Sequence, residues 1–312
     1  MESGINSVVR QQVAEGLLVY ARLPPHHPAE FTSVTPSGTI GISFSPHRRA
    51  VVRLGPDPIR ESDIGAGNAF VISSGNLDWL RVAEAGEAWE FRPEPEYLAG
   101  VAARLGASRS VALPDVGGRP DPVIWAVAAA LRSRLRRGEL DPLDASERLF
   151  DLAAHVLATY GGVRLTRKRA GRLDDQRLRR VVEYMDAHIT QPLRLEQLAD
   201  VAALSPYHFA RSFRNTTRLA PYEFLTAQRM ERARHLLEST NRSVAEIANA
   251  VGYSHVAHFR EQFVQAFYLR PSELRGSAPP HAQHPAVTRP TGDSTLDAAA
   301  DPTGSPRPPR PG

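Results

Sequence analysis

The feature that most constrains the fold is an internal repeat in the last third of the chain. Three short stretches recur at an offset of 49 or 50 residues: Phe209–Phe213 as Phe259–Phe263, Leu219–Pro221 as Leu269–Pro271, and Leu198-Ala199 as Ile247-Ala248. Each copy has the pattern of a short helix, a tight turn and a second helix with two phenylalanines one turn apart. The repeat therefore predicts two helix-turn-helix units in tandem.

Helix start signals divide this region further. Ser205-Pro206 is an N-cap followed by proline at the first helical position, and Ser243–Glu246 is a capping box. Between them, Pro221–Glu238 predicts a joining helix, which at 1.5 Å per residue is ~27 Å long. Successive major grooves on one face of DNA are ~34 Å apart. A rod of this length can hold the two second helices in neighbouring grooves.

The outward positions of the two second helices are the candidate DNA contacts. We predict base contacts from seven residues: Tyr207, Ala210 and Arg211 in the first unit, and Ala257, His258, Arg260 and Glu261 in the second. Arg211 can bond the O6 and N7 atoms of guanine, and Glu261 can accept a hydrogen bond from cytosine N4. We predict phosphate contacts from three further arginines: Arg214, Arg218 and Arg270.

Charge is distributed unevenly along the chain. The whole chain has a net charge of +4, but residues 1–163 carry −3, residues 164–275 carry +7 and the remaining residues carry none. Every basic residue except Lys168 is an arginine, which is typical of a GC-rich genome and also suits bidentate contacts to polyanions. The basic segment favours a polyanionic partner, and the run from Arg164 to Arg172 would add sequence-independent affinity.

Residues 178–275 resemble the DNA-binding domain of the AraC/XylS family of bacterial transcription regulators. The motif-bearing stretches occur in the family's order and spacing: Leu198-Ala199, Ser205–Phe213, Phe224-Leu225, Arg229-Met230, Ala233, Leu236-Leu237, Ile247-Ala248, Gly252-Tyr253, Phe259, Phe263 and Pro271. The resemblance implies seven helices with two helix-turn-helix units. It also implies groove-facing positions for Tyr207, Ala210 and Arg211 in one unit and for Ala257, His258 and Glu261 in the other.

The chain departs from the family pattern at four positions. Arg218 and Tyr268 stand just past the second helices, where the family often has glycine. Glu261 stands where an arginine is typical, and Arg194 where a serine or threonine cap is common. These departures bear on the helix ends and on the base preference of the second unit.

The first half has the pattern of short strands followed by helices. Alternation with period two predicts strands at Thr39–Phe44, Asn68–Ile72 and Ala88–Phe91, and helical periodicity predicts helices at Tyr97–Leu105, Pro122–Arg137 and Leu143–Tyr160. In the second of these helices Arg132, Arg134 and Arg136 fall on the polar face. The predicted fold class is thus a two-domain α+β chain: a small cupin-like β-barrel with flanking helices, then an all-α domain with two helix-turn-helix units.

The predicted domains are an effector-sensing and dimerisation domain at 1–163, a basic linker at 164–176, a tandem helix-turn-helix domain at 177–275 and a disordered Pro-rich tail at 276–312. The tail has nine prolines and no aromatic residue, too little apolar surface to offset the entropy of ordering. The first residues lack a secretion signal, and the longest apolar run, Val123–Leu131, is far short of the ~20 residues that span a bilayer. These features predict a cytoplasmic location.

The first half resembles the family's sensing half only in layout, which implies a small-molecule effector in the barrel and dimerisation through the helices. The predicted partners are therefore double-stranded DNA, an effector of unknown identity and a second copy of the chain, with RNA polymerase a further candidate and no membrane. The same fold serves activation and repression, so the sequence leaves the sign of regulation open.

The absence of cysteine excludes thiol chemistry, including thiolate zinc sites and methyl-acceptor repair. The histidines of the first half (His26, His27, His47 and His155) do not have the spacing of a metal-ligand motif. We therefore predict no catalytic residues, no metal and no cofactor. Two alternatives remain: a small-molecule-binding or metal-dependent barrel protein whose helical half has lost DNA reading, and an adaptor that only recruits polymerase.

Overall fold

The computed structural model describes residues 7–23, 33–83, 85–107, 113–163 and 171–276. Most of the predicted linker and nearly all of the predicted tail lie outside these ranges, and so do His26 and His27. The strands are β1 (Ser7–Val13), β2 (Gly16–Leu23), β3 (Ser33–Thr35), β4 (Thr39–Ser43), β5 (His47–Leu54), β6 (Arg60–Ile64), β7 (Asn68–Ile72), β8 (Leu77–Arg81), β9 (Gly86–Pro93) and β10 (Val116–Pro120). The helices are α1 (Tyr97–Arg104), α2 (Pro122–Arg137), α3 (Pro142–Thr159), α4 (Asp175–Ala187), α5 (Leu195–Val201), α6 (Pro206–Thr217), α7 (Pro221–Ser239), α8 (Val244–Ala250), α9 (Val256–Phe267) and α10 (Pro271–Gly276).

The strands form two antiparallel sheets. Six strands are ordered β1-β2-β9-β4-β7-β10 and four are ordered β3-β8-β5-β6. Strands β4 and β7 are buried at every position, so the larger sheet needs a covering layer on both faces. Helix α2 covers one face, where Ile42 and Phe91 join its apolar side chains in one cluster. The smaller sheet covers the other, where Val52 packs near Phe70.

The prediction of a small cupin-like β-barrel needs correction. In the described parts of the chain neither sheet closes on itself, and no strand ladder joins the two. Because β4 and β7 are buried on both faces, the larger sheet packs between two other layers and does not curve into a barrel. The coarser prediction is confirmed, because a sheet-rich first half carries the predicted strands at β4, β7 and β9 and the predicted helices at α1, α2 and α3.

The second half is helical, as predicted. Ser205 caps α6 by accepting the backbone N–H of His208, and Ser243 and Glu246 bond each other's backbone N–H at the start of α8. Helix α7 has 19 residues, which at 1.5 Å per residue makes it about 28 Å long. At the start of α9, His255 occupies the N-cap position and its side chain makes no capping hydrogen bond. We call α5–α6 the first helix pair and α8–α9 the second helix pair.

The two helix pairs belong to different cores. The first pair shares one continuous hydrophobic cluster with α2 and the larger sheet, in which the rings of Trp125 and Phe224 lie 4.8 Å apart. The second pair has its own cluster, built around Phe259, Phe263 and Met230. Residues 1–278 group into one compact unit by their contacts, and the boundaries drawn from the sequence stay predictions.

Both second helices end on a non-glycine residue with a left-handed backbone. The φ angles are 61° at Arg218 and 58° at Tyr268, where the family pattern has glycine. This conformation costs an L-residue about 1–2 kcal/mol. Each side chain makes compensating contacts: Arg218 pairs with the buried Asp151, and the ring of Tyr268 lies 4.2 Å from the guanidinium of Arg137.

The strain at Tyr268 predicts an unusual order of stability. Tyr268→Gly and Tyr268→Ala both lose the ring, so they differ only in backbone freedom. We expect the glycine variant to be the more stable by about 1 kcal/mol, the reverse of the order inside a helix. Urea unfolding of the two proteins measures the difference, and equal midpoints or a more stable alanine variant would refute the strain.

Candidate nucleic-acid interface

Helix α6 presents the predicted residues of the first pair on its outer face. Phe209 and Phe213 are fully buried on the inner face and fix the rotation of the helix. Tyr207 is 70% exposed, Arg211 is exposed, and Ala210 is half-buried between them. The structure thus places all three on the accessible side of α6. Contact with DNA by these residues stays a prediction.

Helix α9 repeats this arrangement. Phe259 and Phe263 are fully buried, whereas the four residues predicted to contact bases are exposed: Ala257, His258, Arg260 and Glu261. The His258 ring packs edge-on against Tyr253, with ring centroids 5.4 Å apart. Arg260, Glu261 and Arg270 line one groove beside α10. The second pair therefore offers a surface of mixed charge.

The three predicted phosphate contacts differ in availability. Arg214 and Arg270 are exposed, and within the described residues their guanidinium groups form no ion pair. Arg218 is instead held by Asp151 of α3, which also pairs with Arg172 at 3.2 Å. A phosphate contact by Arg218 would need the pair with Asp151 to break.

Two motif residues hold the helices of the interface together. The Nε atom of Arg229 in α7 donates to the carbonyl of Ile189 at 2.9 Å, and its Nη2 atom donates to the carbonyl of Gln191 at 2.7 Å. Gly252 has φ +84°, and a Cβ atom there would lie 2.7 Å from the Ile189 carbonyl oxygen. Arg229 thus ties α7 to the segment after α4, and Gly252 allows the α8–α9 turn to approach that segment closely. The family motif includes both residues, but sequence periodicity gives no reason for either.

A second candidate site lies between the two sheets. It is a cavity of about 410 Å³ with apolar walls that include Val19, Phe70 and Trp79. A chain of hydrogen bonds crosses it: Trp79 donates to Thr35 at 3.1 Å, and Thr35 donates to Glu90 at 3.2 Å. Glu90 also pairs with Arg92 at 2.6 Å. The cavity therefore combines an apolar wall with a few fixed polar groups, as small-molecule sites do.

His155 belongs to a buried cluster at the start of α2. Asp121 caps this helix by accepting the N–H groups of Val123 and Ile124. Its second carboxylate oxygen lies 2.8 Å from His155 Nε2 and accepts the Tyr160 hydroxyl at 2.7 Å. Burial alone would raise the pKa of Asp121, but His155 and the hydrogen bonds outweigh it and lower this pKa to about 2. The arrangement anchors the helix and serves as a cap, and sequence reasoning missed it because its members are far apart in the chain.

This cluster makes stability depend on pH. Burial lowers the pKa of His155, but Asp121 outweighs burial and the net pKa is raised. Because the pKa is raised in the folded protein, protonated His155 stabilises the fold fully at pH values below its ordinary pKa of about 6.5. This stabilisation is lost as the pH rises through the pKa that His155 has in the folded protein. We expect His155→Gln to be destabilising at pH 6 and much less so at pH 9. Urea unfolding at both values tests this, with the exposed His208→Gln as control; a His155→Gln deficit that is constant with pH would contradict it.

No three His, Asp or Glu side chains come together as metal ligands among the residues that the structure describes, and His47 lies instead at the cavity between the sheets. No helix in the described ranges is long and apolar enough to cross a membrane.

Comparison with known proteins bears on the helical half. A family model described as a helix-turn-helix domain matches residues 198–277. The regulatory protein PocR of Salmonella typhimurium is 31% identical over 113 residues, which are 36% of this chain and 37% of PocR. The HTH-type transcriptional activator RhaS of Enterobacter sp. is 33% identical over 102 residues, which are 33% of this chain and 37% of RhaS.

A solved transcriptional regulator from Chromobacterium violaceum, with an AraC-type DNA-binding domain, is 30% identical; the match covers 34% of this chain and 95% of that one, with a TM-score of 0.32. The chain spans little more than a third of the length of the two curated relatives. The family model and these relatives agree with the motifs that run from Leu198 to Pro271. Through this helical domain, the chain belongs to the AraC/XylS family of transcription regulators.

Proposed function

We propose that the protein is a sequence-specific DNA-binding transcription regulator whose α6 and α9 lie in successive major grooves. The observation that carries the proposal is the matched exposure of the two helices: each buries a phenylalanine pair and presents its outward residues to solvent. The two helix pairs then act as two helix-turn-helix units, and α7 spaces them. The net charge of +7 on residues 164–275 supports a polyanionic partner.

In this proposal the base contacts come from the exposed outer faces described above. Arg211 reads guanine, and Tyr207 and Ala210 contact neighbouring bases or thymine methyl groups. In the second unit, Ala257, His258, Arg260 and Glu261 take the equivalent positions. Arg214 and Arg270 contact phosphates, because their guanidinium groups are unpaired within the described residues.

The cavity between the two sheets is the proposed effector site. Its volume of about 410 Å³ suits a small molecule, and its polar groups are fixed by hydrogen bonds.

Two further partners are proposed. One is a second copy of the chain, bound through the first half, and the other is RNA polymerase. The name of RhaS as a transcriptional activator favours activation as the sign of regulation. The proposed role is non-enzymatic.

Binding to the DNA upstream of its own gene, measured across a salt series, tests the proposed function. We expect the logarithm of the binding constant to fall linearly with the logarithm of salt concentration, since phosphate contacts release counterions. Affinity that does not change with salt, or no binding above that to an unrelated duplex, would refute the proposal.

Arg214 gives a specific expectation within that series. Arg214→Ala removes one proposed phosphate contact, so it should weaken binding to all sequences about equally and reduce the salt slope by about 1. Arg104→Ala, an exposed arginine in the last turn of α1, is the control and should leave the slope unchanged. An unchanged slope for Arg214→Ala would remove this residue from the interface.

A further inference from the structure

A cluster of six charged side chains joins the first half of the chain to the joining helix α7. Its members are Arg22 of β2, Glu87 of β9 and Arg132 of α2 on one side, and Glu231, Arg234 and Glu238 of α7 on the other. The three positive and three negative charges balance. Glu87, Arg132 and Arg234 are all at most 5% exposed, so the cluster lies mainly in the protein interior.

Arg234 is the centre of this cluster. Its Nη1 atom lies 2.9 Å from Glu87 Oε2 and 2.9 Å from Glu238 Oε2, and its Nε atom lies 3.2 Å from Glu231. Arg132 bonds Glu231 as well, and Arg22 pairs with Glu238 at 3.0 Å. Burial alone would raise the pKa of Glu87, but Arg234 and Arg132 outweigh it and lower this pKa to about 2. Glu87 is therefore charged and depends on its two arginines.

The same residues touch the wall of the cavity between the sheets. Ser43, Gly86 and Glu87 all line this cavity. Arg234 Nη2 donates to the carbonyl of Phe44 at 3.1 Å, and the backbone N–H of Phe44 donates to the carbonyl of Glu87 at 2.7 Å. The end of β4 and the start of β9 are thus bound to each other and to α7.

Helix α2 contacts both helix pairs. Near its start, Trp125 packs on Phe224 in the core of the first pair. Further along, the guanidinium of Arg132 lies 5.5 Å from the ring of Phe267 at the end of α9, and Arg137 contacts Tyr268. The second pair has its own core. Within the described residues, it is therefore linked to the first half by these contacts of α2 and by the charged cluster.

We propose that Glu87, Arg132 and Arg234 are positioning residues that fix the second helix pair relative to the first and connect this geometry to the cavity wall. The inference rests on the proposed function for its consequence, which is a fixed spacing between the two DNA segments read. One contact in the cluster is poorly satisfied: Glu87 Oε1 and Arg132 Nη1 are 3.5 Å apart, and neither makes a hydrogen bond. An unpaired polar atom is costly in the low dielectric of the protein interior, so the loss of any further partner in this network should be felt strongly.

A distance measurement between the two helix pairs tests the positioning role without DNA. The chain has no cysteine, so Glu196→Cys on α5 and Gln265→Cys on α9, both exposed, carry two spin labels. We expect one narrow distance distribution in the otherwise native chain and at least a twofold broader one with Glu87→Gln. Asp144→Asn is the matched control, since Asp144 pairs with Arg134 of α2 but not with α7. An unchanged distribution with Glu87→Gln would overturn the proposal.

A second variant covers the case in which Glu87→Gln does not fold. Glu87→Gln with Arg234→Gln keeps the charge of the cluster balanced, and it too should broaden the distribution. Ala21→Phe, which fills part of the cavity, should shift the mean distance in the native background but not with Glu87→Gln. A shift in both backgrounds would overturn the connection to the cavity wall.

Selection of duplexes from a random library then separates this inference from the proposed function. Wild-type protein should enrich two sub-sites at one spacing, and Glu87→Gln should keep both sub-sites while its preference for that spacing falls roughly 5- to 150-fold, the usual range of coupling between sites. Failure of wild-type protein to enrich any sequence counts against the proposed function alone, because the distance measurement decides the positioning role. Enrichment with an unchanged spacing preference in Glu87→Gln would count against the inference alone.

Discussion

Replacing Arg234 with methionine is expected to lower the free energy of unfolding by about 3–5 kcal/mol, the usual cost of removing one partner from a buried ion pair. Arg234 is 5% exposed, and its loss leaves Glu87 without its nearest positive charge in the protein interior. It also leaves the carbonyl of Phe44 without the donor that bonds it from α7. Urea unfolding of the two proteins measures the change.

Arg53→Met is the matched control for this prediction. Arg53 also pairs with a carboxylate, that of Asp78 at 2.7 Å, but its side chain is 45% exposed. An exposed pair of this kind contributes about 0–1 kcal/mol. A loss in Arg234→Met no larger than that in Arg53→Met would show that the cluster does not hold the two halves together.

Replacing Arg211 with alanine is expected to weaken binding to the duplex that the wild-type protein enriches by about 1–3 kcal/mol, or roughly 5- to 150-fold. The reason is the loss of a bidentate contact to one guanine, so specificity at that base pair should relax as well. Tyr207 and the other outward residues of α6 should keep their own preferences. Fluorescence anisotropy against the enriched duplex and its single-base variants gives both quantities.

Arg214→Ala separates base reading from phosphate contact in this experiment. It should weaken binding to every duplex about equally, whereas Arg211→Ala should spare unrelated duplexes. If Arg211→Ala weakens all duplexes alike, Arg211 contacts phosphate and not a base. If it changes no binding constant, α6 does not read DNA through this residue.

The helical half could be predicted closely from sequence because its signals are local. The phenylalanine pairs fix the buried faces of α6 and α9, and Ser205 and Ser243 mark two of the starts. The start of α9 has no such local signal, since His255 takes the N-cap position without a side-chain bond. At Arg218 and Tyr268 the sequence showed only that glycine is missing after the second helices. The structure shows that both residues still adopt the left-handed backbone conformation that favours glycine.

The first half was harder to predict because its strands do not all alternate. Strand β5, His47–Leu54, has a register shift against both of its neighbours, and β4 is buried on both faces. The sequence of β4 alternates with period two, which is typical of a half-buried strand, so it gave no sign that the second face is covered as well. The layout of strands followed by helices was therefore predictable, whereas the two-sheet arrangement was not.

The buried charges were out of reach of sequence reasoning for a different reason. Arg132 falls on the polar face of α2 by periodicity, yet it is 4% exposed and pairs with Glu231, 99 residues later in the chain. Glu87 and Arg234 pair across a still longer separation. A charged residue in a helix pattern is usually solvated, so only the packed structure distinguishes these side chains from surface ones.

Whether α6 and α9 lie in successive major grooves can be measured as protection of guanine N7 from methylation, on the duplex that the full chain enriches from a random library. We expect two clusters of protected major-groove guanines on one face, about 10 base pairs apart, with protection at the α6 cluster lost in Arg211→Ala. Protection of one groove only, or enrichment of no duplex at all, would contradict it.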